Sequence, residues 1–149
     1  MSTSELVGEQ LDGKVLYERQ KQRRATHAIT PAPTIVAIGL EVSENIGGVL
    51  RLADAAGSPR AIFVSAAAHD VKRIRRAARH SDALVAWEFC APDQFTQCIP
   101  SLQPLIALEL TTHSTNIFET RLPDQCAIVI GNEQHGIPSP VLGACQQAV

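Results

Sequence analysis

The chain has 149 residues, 45% of them hydrophobic, with four cysteines and a formal net charge of −2. That length supports one domain with a real core. No apolar run approaches the ~20 residues of a membrane span, and the polar, acidic start carries no signal-peptide pattern, so no membrane partner is expected. Cysteines 90, 98, 126 and 145 form no C-x-x-C pair, which argues against a metal site and for a reduced, cytoplasmic protein. The net charge hides an asymmetry: residues 14–79 carry +7 and residues 80–149 carry −6. Two basic clusters, one with Lys21, Arg23 and Arg24 and one with Lys72, Arg73, Arg75, Arg76 and Arg79, suit either phosphate backbones or two solvated helix faces.

In chain order, residues 4–26 read as a polar helix with weak apolar contacts at Leu6, Val7, Leu11, Val15 and Leu16, and the two prolines of "AITPAPT" break it. Residues 1–33 are therefore a charged arm and linker. Next comes "TIVAIGL" (34–40), a continuous apolar run of the kind buried on both faces of a parallel sheet. A helix is expected over 46–56, closed by Gly57. Strands at 61–65, 83–89, 104–110 and 126–131 alternate with helices at 69–79 and 92–99. This alternation predicts an α/β domain with a mostly parallel sheet and flanking helices. In such sheets ligands bind beyond the carboxyl ends of the strands, which directs attention to "EVSENIGGVLR", "ELTTHSTN" and "GNEQHGIP".

In the first segment Asn45 fits an N-cap. Gly47 and Gly48 each cost roughly 0.5–1 kcal/mol relative to alanine inside a helix. Arg51 shares their face and leans back over them, beside the positive helix end, which makes an anion pocket. The glycines suit close approach by a nucleotide or by a neighbouring helix, and both readings stay open. In the last segment Gly131 lets a ligand reach the backbone, Gly136 suits a positive φ, and Ser139–Pro140 fit a helix start. Glu133 is either a carboxylate in the crevice or a surface residue. His113 and His135 lack metal-ligand partners, Ser114 lacks a G-x-S-x-G setting, and dinucleotide and P-loop glycine patterns are missing.

Taken together, N-x-G-x-x-x-R (Asn45, Gly47, Arg51) with Ala55-Ala56-Gly57, followed about eighty residues later by G-x-E-x-x-G (Gly131, Glu133, Gly136) after a buried strand, resembles the SpoU/TrmH family of SPOUT RNA 2′-O-ribose methyltransferases over residues 34–149. The resemblance implies a SPOUT-like fold with a C-terminal trefoil knot, S-adenosylmethionine as cofactor, no metal, and a homodimer with its site at the subunit interface. It implies catalytic roles for Arg51, Asn45 and Glu133, with Arg51 assisting deprotonation of the ribose 2′-hydroxyl and the other two shaping the site and orienting it. It places Leu108, Glu109, Leu110, Gly131, Asn132 and Gly136 at the cofactor. RNA contacts are expected from Lys21, Arg23, Arg24, Gly47, Arg51, Lys72, Arg73 and Arg76. A short charged arm before the catalytic domain resembles members acting on transfer RNA, so tRNA is favoured over rRNA.

The family's third motif, roughly I-P-M-x-G-x-x-x-S-L-N, does not occur before Val149. The expectation is accordingly a domain lacking its C-terminal strand and helix, with an incomplete knot, a sheet edge left bare after the fifth strand, and weak binding of S-adenosylmethionine. The alternative is a non-catalytic RNA-binding remnant of the family.

Overall fold

A computed structural model of the chain describes residues 12–26 and 32–149. Two compact units divide it, residues 1–30 and 31–149. In the first, helix α1 (Gly13–Thr26) begins where the Asp12 carboxylate accepts from the Lys14 amide at 2.8 Å, an N-cap. Val15 and Leu16 are exposed, and Leu6, Val7 and Leu11 lie outside the described residues.

The second unit is a six-stranded parallel sheet in the order β3-β2-β1-β5-β4-β6. Its elements run β1 (Thr34–Ile38), α2 (Ser43–Ala55), β2 (Arg60–Val64), α3 (Val71–Ala78), β3 (Ala86–Cys90), α4 (Pro92–Cys98), β4 (Leu105–Ala107), β5 (Ala127–Ile130), α5 (Ser139–Leu142) and β6 (Gln147–Ala148). The alternating helices and strands expected from hydropathy are all present, with ends displaced by a few residues. Gly57 closes α2 at φ +74°, a left-handed cap that lets the Ser58 amide reach the Ala53 carbonyl at 2.8 Å.

Because successive strand residues face opposite ways, the central strands feed two cores. Val36, Ile38, Ile62, Val64, Leu105 and Val129 pack on one face with Phe95 of α4, beside Val141 and Leu142 of α5. On the other, Ala37, Ala61 and Phe63 pack with Ile46, Leu50 and Ala53 of α2 and Ile74 and Ala78 of α3. The chain leaving β1 therefore goes to one face and the chain leaving β5 to the other. β1 and β5 are neighbours, in register from Thr34↔Ala127 to Ala37↔Ile130. Adjacent parallel strands whose connections diverge open a crevice at their carboxyl ends.

The bare edge expected after five strands is not found. Residues beyond the last expected helix start supply β6, which lies parallel to β4 with Ile106↔Gln147 and Ala107↔Ala148 in register. The loop after β4 holds its end: Glu109 and Thr115 donate amides to the Val149 and Ala148 carbonyls, each at 3.1 Å. A two-residue strand, Gln147–Ala148, offers no hydropathy signal, since the backbone bonds of the β4 edge create it.

Candidate functional site

Helix α2 starts at Ser43, three residues before its apolar periodicity begins, with Val42 as N-cap and no side-chain cap bond. Asn45 is thus already inside the first turn and does not act as the cap expected for it. Its Nδ2 instead donates to Glu133 Oε1 at 2.8 Å. This bond joins residues 88 positions apart and spans the β1/β5 crevice, so the two sequence motifs meet there.

The earlier helix start also moves the glycines into the second turn. Gly47, expected at an RNA-facing surface, is buried against α3. A Cβ there would lie 2.5 Å from Ala77 Cβ, 2.6 Å from the Ile74 carbonyl oxygen and 2.8 Å from the Ala78 nitrogen. It is the helix-packing glycine, and its missing side chain brings α2 and α3 together. Gly48 is the open one, with nothing within 4 Å of the point a Cβ would occupy.

Gly48 lies on the floor of a cleft of about 560 Å³ between α2 and α3, lined also by Arg51, Arg73, Arg76, Arg79, Glu44 and Ala77. Residues 44, 48 and 51 are four and three apart, hence on one helix face. Arg51 is nine residues into α2, beyond the reach of the helix-end charge, so the anion-attracting field comes from the α3 arginines. Arg73 is countered by Glu44 at 3.9 Å and by Asp70 at 3.8 Å. Lys72 is exposed and outside the cleft lining. Lys21 and Arg23 are exposed on α1, and the side chain of Arg24 lies outside the described residues. Asn45 and Glu133 do not touch Arg51: six residues along a helix place Arg51 roughly 9 Å further up the axis and about a third of a turn away.

A second cleft, of about 1060 Å³, opens beyond the ends of β4 and β5. Leu108, Glu109, Leu110, Gly131, Asn132 and Gly136, the residues expected at the cofactor, all line it, as does Glu133. Several also hold together the loop that carries them. Asn132 Nδ2 donates to the Gly39 carbonyl at 2.8 Å, and its Oδ1 accepts from the amides of Gln134 and His135 at 2.7 and 3.2 Å. Its side chain therefore ties the β5 turn to the end of β1. A Cβ on Gly131 would lie 2.2 Å from the Gly136 carbonyl carbon, so the chain's own loop returns against it, while the residue still lines the cleft. Gly136 adopts φ +64°, as its position in the turn suggests. Glu109 folds over that turn, its Oε2 accepting from the Ile137 amide at 3.0 Å. The last helix begins at Ser139 with Pro138 as its N-cap, one residue before the expected cap.

The 1060 Å³ cleft fits a nucleoside-sized cofactor. Ile130, Ile137 and Leu142 give it apolar wall, and the hydroxyl-bearing residues Thr111 and Thr112 line it too. Sequence reasoning did not single these out, nor Glu44 in the other cleft, which lies seven residues before Arg51 on the same helix face. Gly48 and Arg79, read from sequence as a possible nucleotide approach and as part of a basic cluster, both line that cleft. Among the described residues no group of three His, Cys, Asp or Glu is placed to hold a metal ion, and no helix is long and apolar enough to cross a membrane.

Comparison with known proteins gives the arrangement a lineage. No curated protein matches the chain. Among solved structures it is similar to an RNA 2′-O ribose methyltransferase (26% identity, TM-score 0.70, covering 83% of this chain and 48% of that one). It is also similar to the AdoMet-bound rRNA methyltransferase of Sinorhizobium meliloti (20%, 0.71, 84% and 49%) and to the TrmH/SpoU tRNA modifying enzyme of A. aeolicus (20%, 0.68, 91% and 70%). The chain spans about half the length of the first two. Likeness at 20% identity speaks for the fold. The model of the SpoU rRNA Methylase family matches residues 32–149, the whole α/β unit, and the chain belongs to that family.

Proposed function

We propose that this chain carries out S-adenosylmethionine-dependent 2′-O-methylation of RNA ribose, with tRNA the favoured substrate, as a cytoplasmic homodimer. The observation that carries the reading is the Asn45–Glu133 bond. It puts the two family motifs at one crevice, with a nucleoside-sized cleft on one side and an arginine-lined cleft along α2 on the other. Bound in the larger cleft, S-adenosylmethionine would supply an electrophilic sulfonium methyl group. Leu108–Leu110 and the Gly131–Ile137 turn would hold it. Arg51 would face the ribose 2′-hydroxyl and, with a substrate phosphate, assist loss of its proton. An ordinary guanidinium is a weak base, so much of the rate would come from alignment of hydroxyl and methyl. Asn45 and Glu133 would fix the crevice between the two clefts.

Exposed Lys21 and Arg23 on α1 support RNA contact outside the domain. Arg51 does not line the larger cleft, and Leu110 and Phe118 are more than nine-tenths exposed. The first fits a site completed by a second copy, and the second gives such a copy apolar surface to cover. Four free cysteines fit a reducing compartment.

The test is transfer of labelled methyl from millimolar S-adenosylmethionine to unmodified tRNA and rRNA transcripts, followed by nucleoside digestion. Label on the ribose 2′-oxygen, cut about 100-fold or more by Arg51→Ala, is the expected result. Salt-sensitive RNA binding with no transfer would replace this reading with that of a non-catalytic RNA-binding protein.

A further inference from the structure

Three arginines converge on Gly48, and one of them is held in a conformation that side chains rarely take. Arg79 ends α3 at φ 48°, ψ 51°, and His80 follows at φ 83°. A left-handed residue at a helix end is usually glycine, because a Cβ is disfavoured there. Here the position instead carries a long cationic side chain, and that side chain lines the α2–α3 cleft with Arg51 and Arg76.

Charge accounting within the cleft singles out the same residues. Arg73 is offset by Glu44 and Asp70, and Arg75, outside the cleft, by Asp82 at 3.6 Å. Among the described residues Arg51, Arg76 and Arg79 have no ion pair. The floor beneath them is Gly48 and Ala77, the two smallest kinds of residue, and Gly47 lets the helices that carry the arginines approach closely. The outcome is a small-floored hollow of about 560 Å³ with an excess of positive charge, roomy enough for a tetrahedral anion.

Building on the methyltransferase reading, we propose that Arg79, with Arg76, is a positioning residue that grips the RNA backbone phosphate adjoining the nucleotide presented to Arg51. Arg76 and Arg79, three apart on one helix edge, present two guanidinium groups to the phosphate oxygens, a geometry suited to bidentate contact. The grip sets where the ribose lies along α2. It is a contact to the phosphodiester and carries no base preference.

The test compares Arg79→Gly, Arg79→Lys and Arg75→Gln with the unaltered chain, each titrated with an unmodified tRNA transcript at several salt concentrations. Arg79→Gly removes the guanidinium while giving the left-handed position its preferred residue. RNA affinity should fall about tenfold and the slope of log K against log salt should flatten by about 0.7–0.9, while the unfolding midpoint stays or rises. Arg79→Lys should recover most of the salt slope, and Arg75→Gln should keep it. In the methyl-transfer assay, Arg79→Gly should raise KM for RNA more than it lowers kcat. Inorganic phosphate, as a competitor, should displace RNA only at tens of millimolar, which distinguishes a backbone site from one for free phosphate.

An unchanged slope in Arg79→Gly, or a drop in its unfolding midpoint that accounts for the lost binding, overturns the proposal and leaves the methyltransferase reading standing. Failure of the unaltered chain to bind RNA overturns both.

Discussion

Adjacent glycines in one helix turn should respond to the same substitution with opposite sign. In Gly47→Ala the new Cβ meets Ala77 Cβ at 2.5 Å, the Ile74 carbonyl oxygen at 2.6 Å and the Ala78 nitrogen at 2.8 Å. Two of these are backbone atoms of α3, which cannot swing aside as the end of a flexible side chain can. Relief requires α2 and α3 to separate, loosening Ile46, Leu50, Ile74 and Ala78, all fully buried between the helices and the sheet. Overpacking of this kind costs about 1–3 kcal/mol, and the gain in helix propensity returns up to ~1 kcal/mol. The net expectation is a loss of about 1–2 kcal/mol. Gly48→Ala meets nothing within 4 Å, so only the propensity gain remains and stability should rise by about 0.5–1 kcal/mol. Thermal and urea unfolding followed by circular dichroism measure both. For a unit of this size, ~1 kcal/mol corresponds to roughly 4 °C in the midpoint, so the variants should differ by about 6–12 °C. Equal destabilisation by both, or a stabilising Gly47→Ala, would refute the assignment of one glycine to packing and the other to the open cleft.

Further outcomes follow from the same geometry. Asn45→Ala and Glu133→Ala break an exposed hydrogen bond and should each change stability by less than about 1 kcal/mol while reducing methyl transfer strongly, as unfolding curves and labelled transfer measured side by side will tell. Gly131→Ala drives a Cβ into the Gly136 backbone at 2.2 Å and should destabilise by roughly 2 kcal/mol or more, with loss of cofactor binding by calorimetry. Burial raises the Cys126 and Cys145 thiols above their ordinary 9.0. The folded state therefore holds those protons more tightly than the unfolded chain. The stability tied to them is complete below pH 9 and is lost as pH rises through the raised values, a decline that unfolding midpoints at pH 8, 9 and 10 should register and that Cys126→Ser with Cys145→Ser should reduce, leaving the part due to Cys90, whose thiol burial also raises.

What could be read in the sequence was what local chemistry dictates. Short, β-branched apolar runs such as "TIVAIGL" suit strands with both faces covered, and Ile46, Leu50 and Ala53 have the spacing of one buried helix stripe. The meeting of Asn45 with Glu133 was legible only through the family motifs, because no local rule connects residues 88 apart. The division of labour between Gly47 and Gly48 was not legible at all. Both lack a side chain, and a helix start misplaced by three residues rotates the whole helix face. Ser43 is where the difference originates: its hydroxyl accepts the Asp70 amide at 3.1 Å, a tertiary contact that extends α2 backward past its apolar pattern. Likewise the return of the chain against Gly131 and the tie from Asn132 to the Gly39 carbonyl were not legible, because neither has a hydropathy signature.

The central claim is that the methyl donor lies beyond β4 and β5, on the far side of the Asn45–Glu133 bond from the arginine cleft. Amide chemical shifts of the isotope-labelled chain, followed while S-adenosylmethionine is added to millimolar concentration, test it most directly. The account predicts progressive shifts at Leu108–Thr112 and Gly131–Ile137, with half-saturation well above the low micromolar range and little change at Arg76 and Arg79. Shifts centred on the α2–α3 cleft, or none at millimolar cofactor, would contradict it.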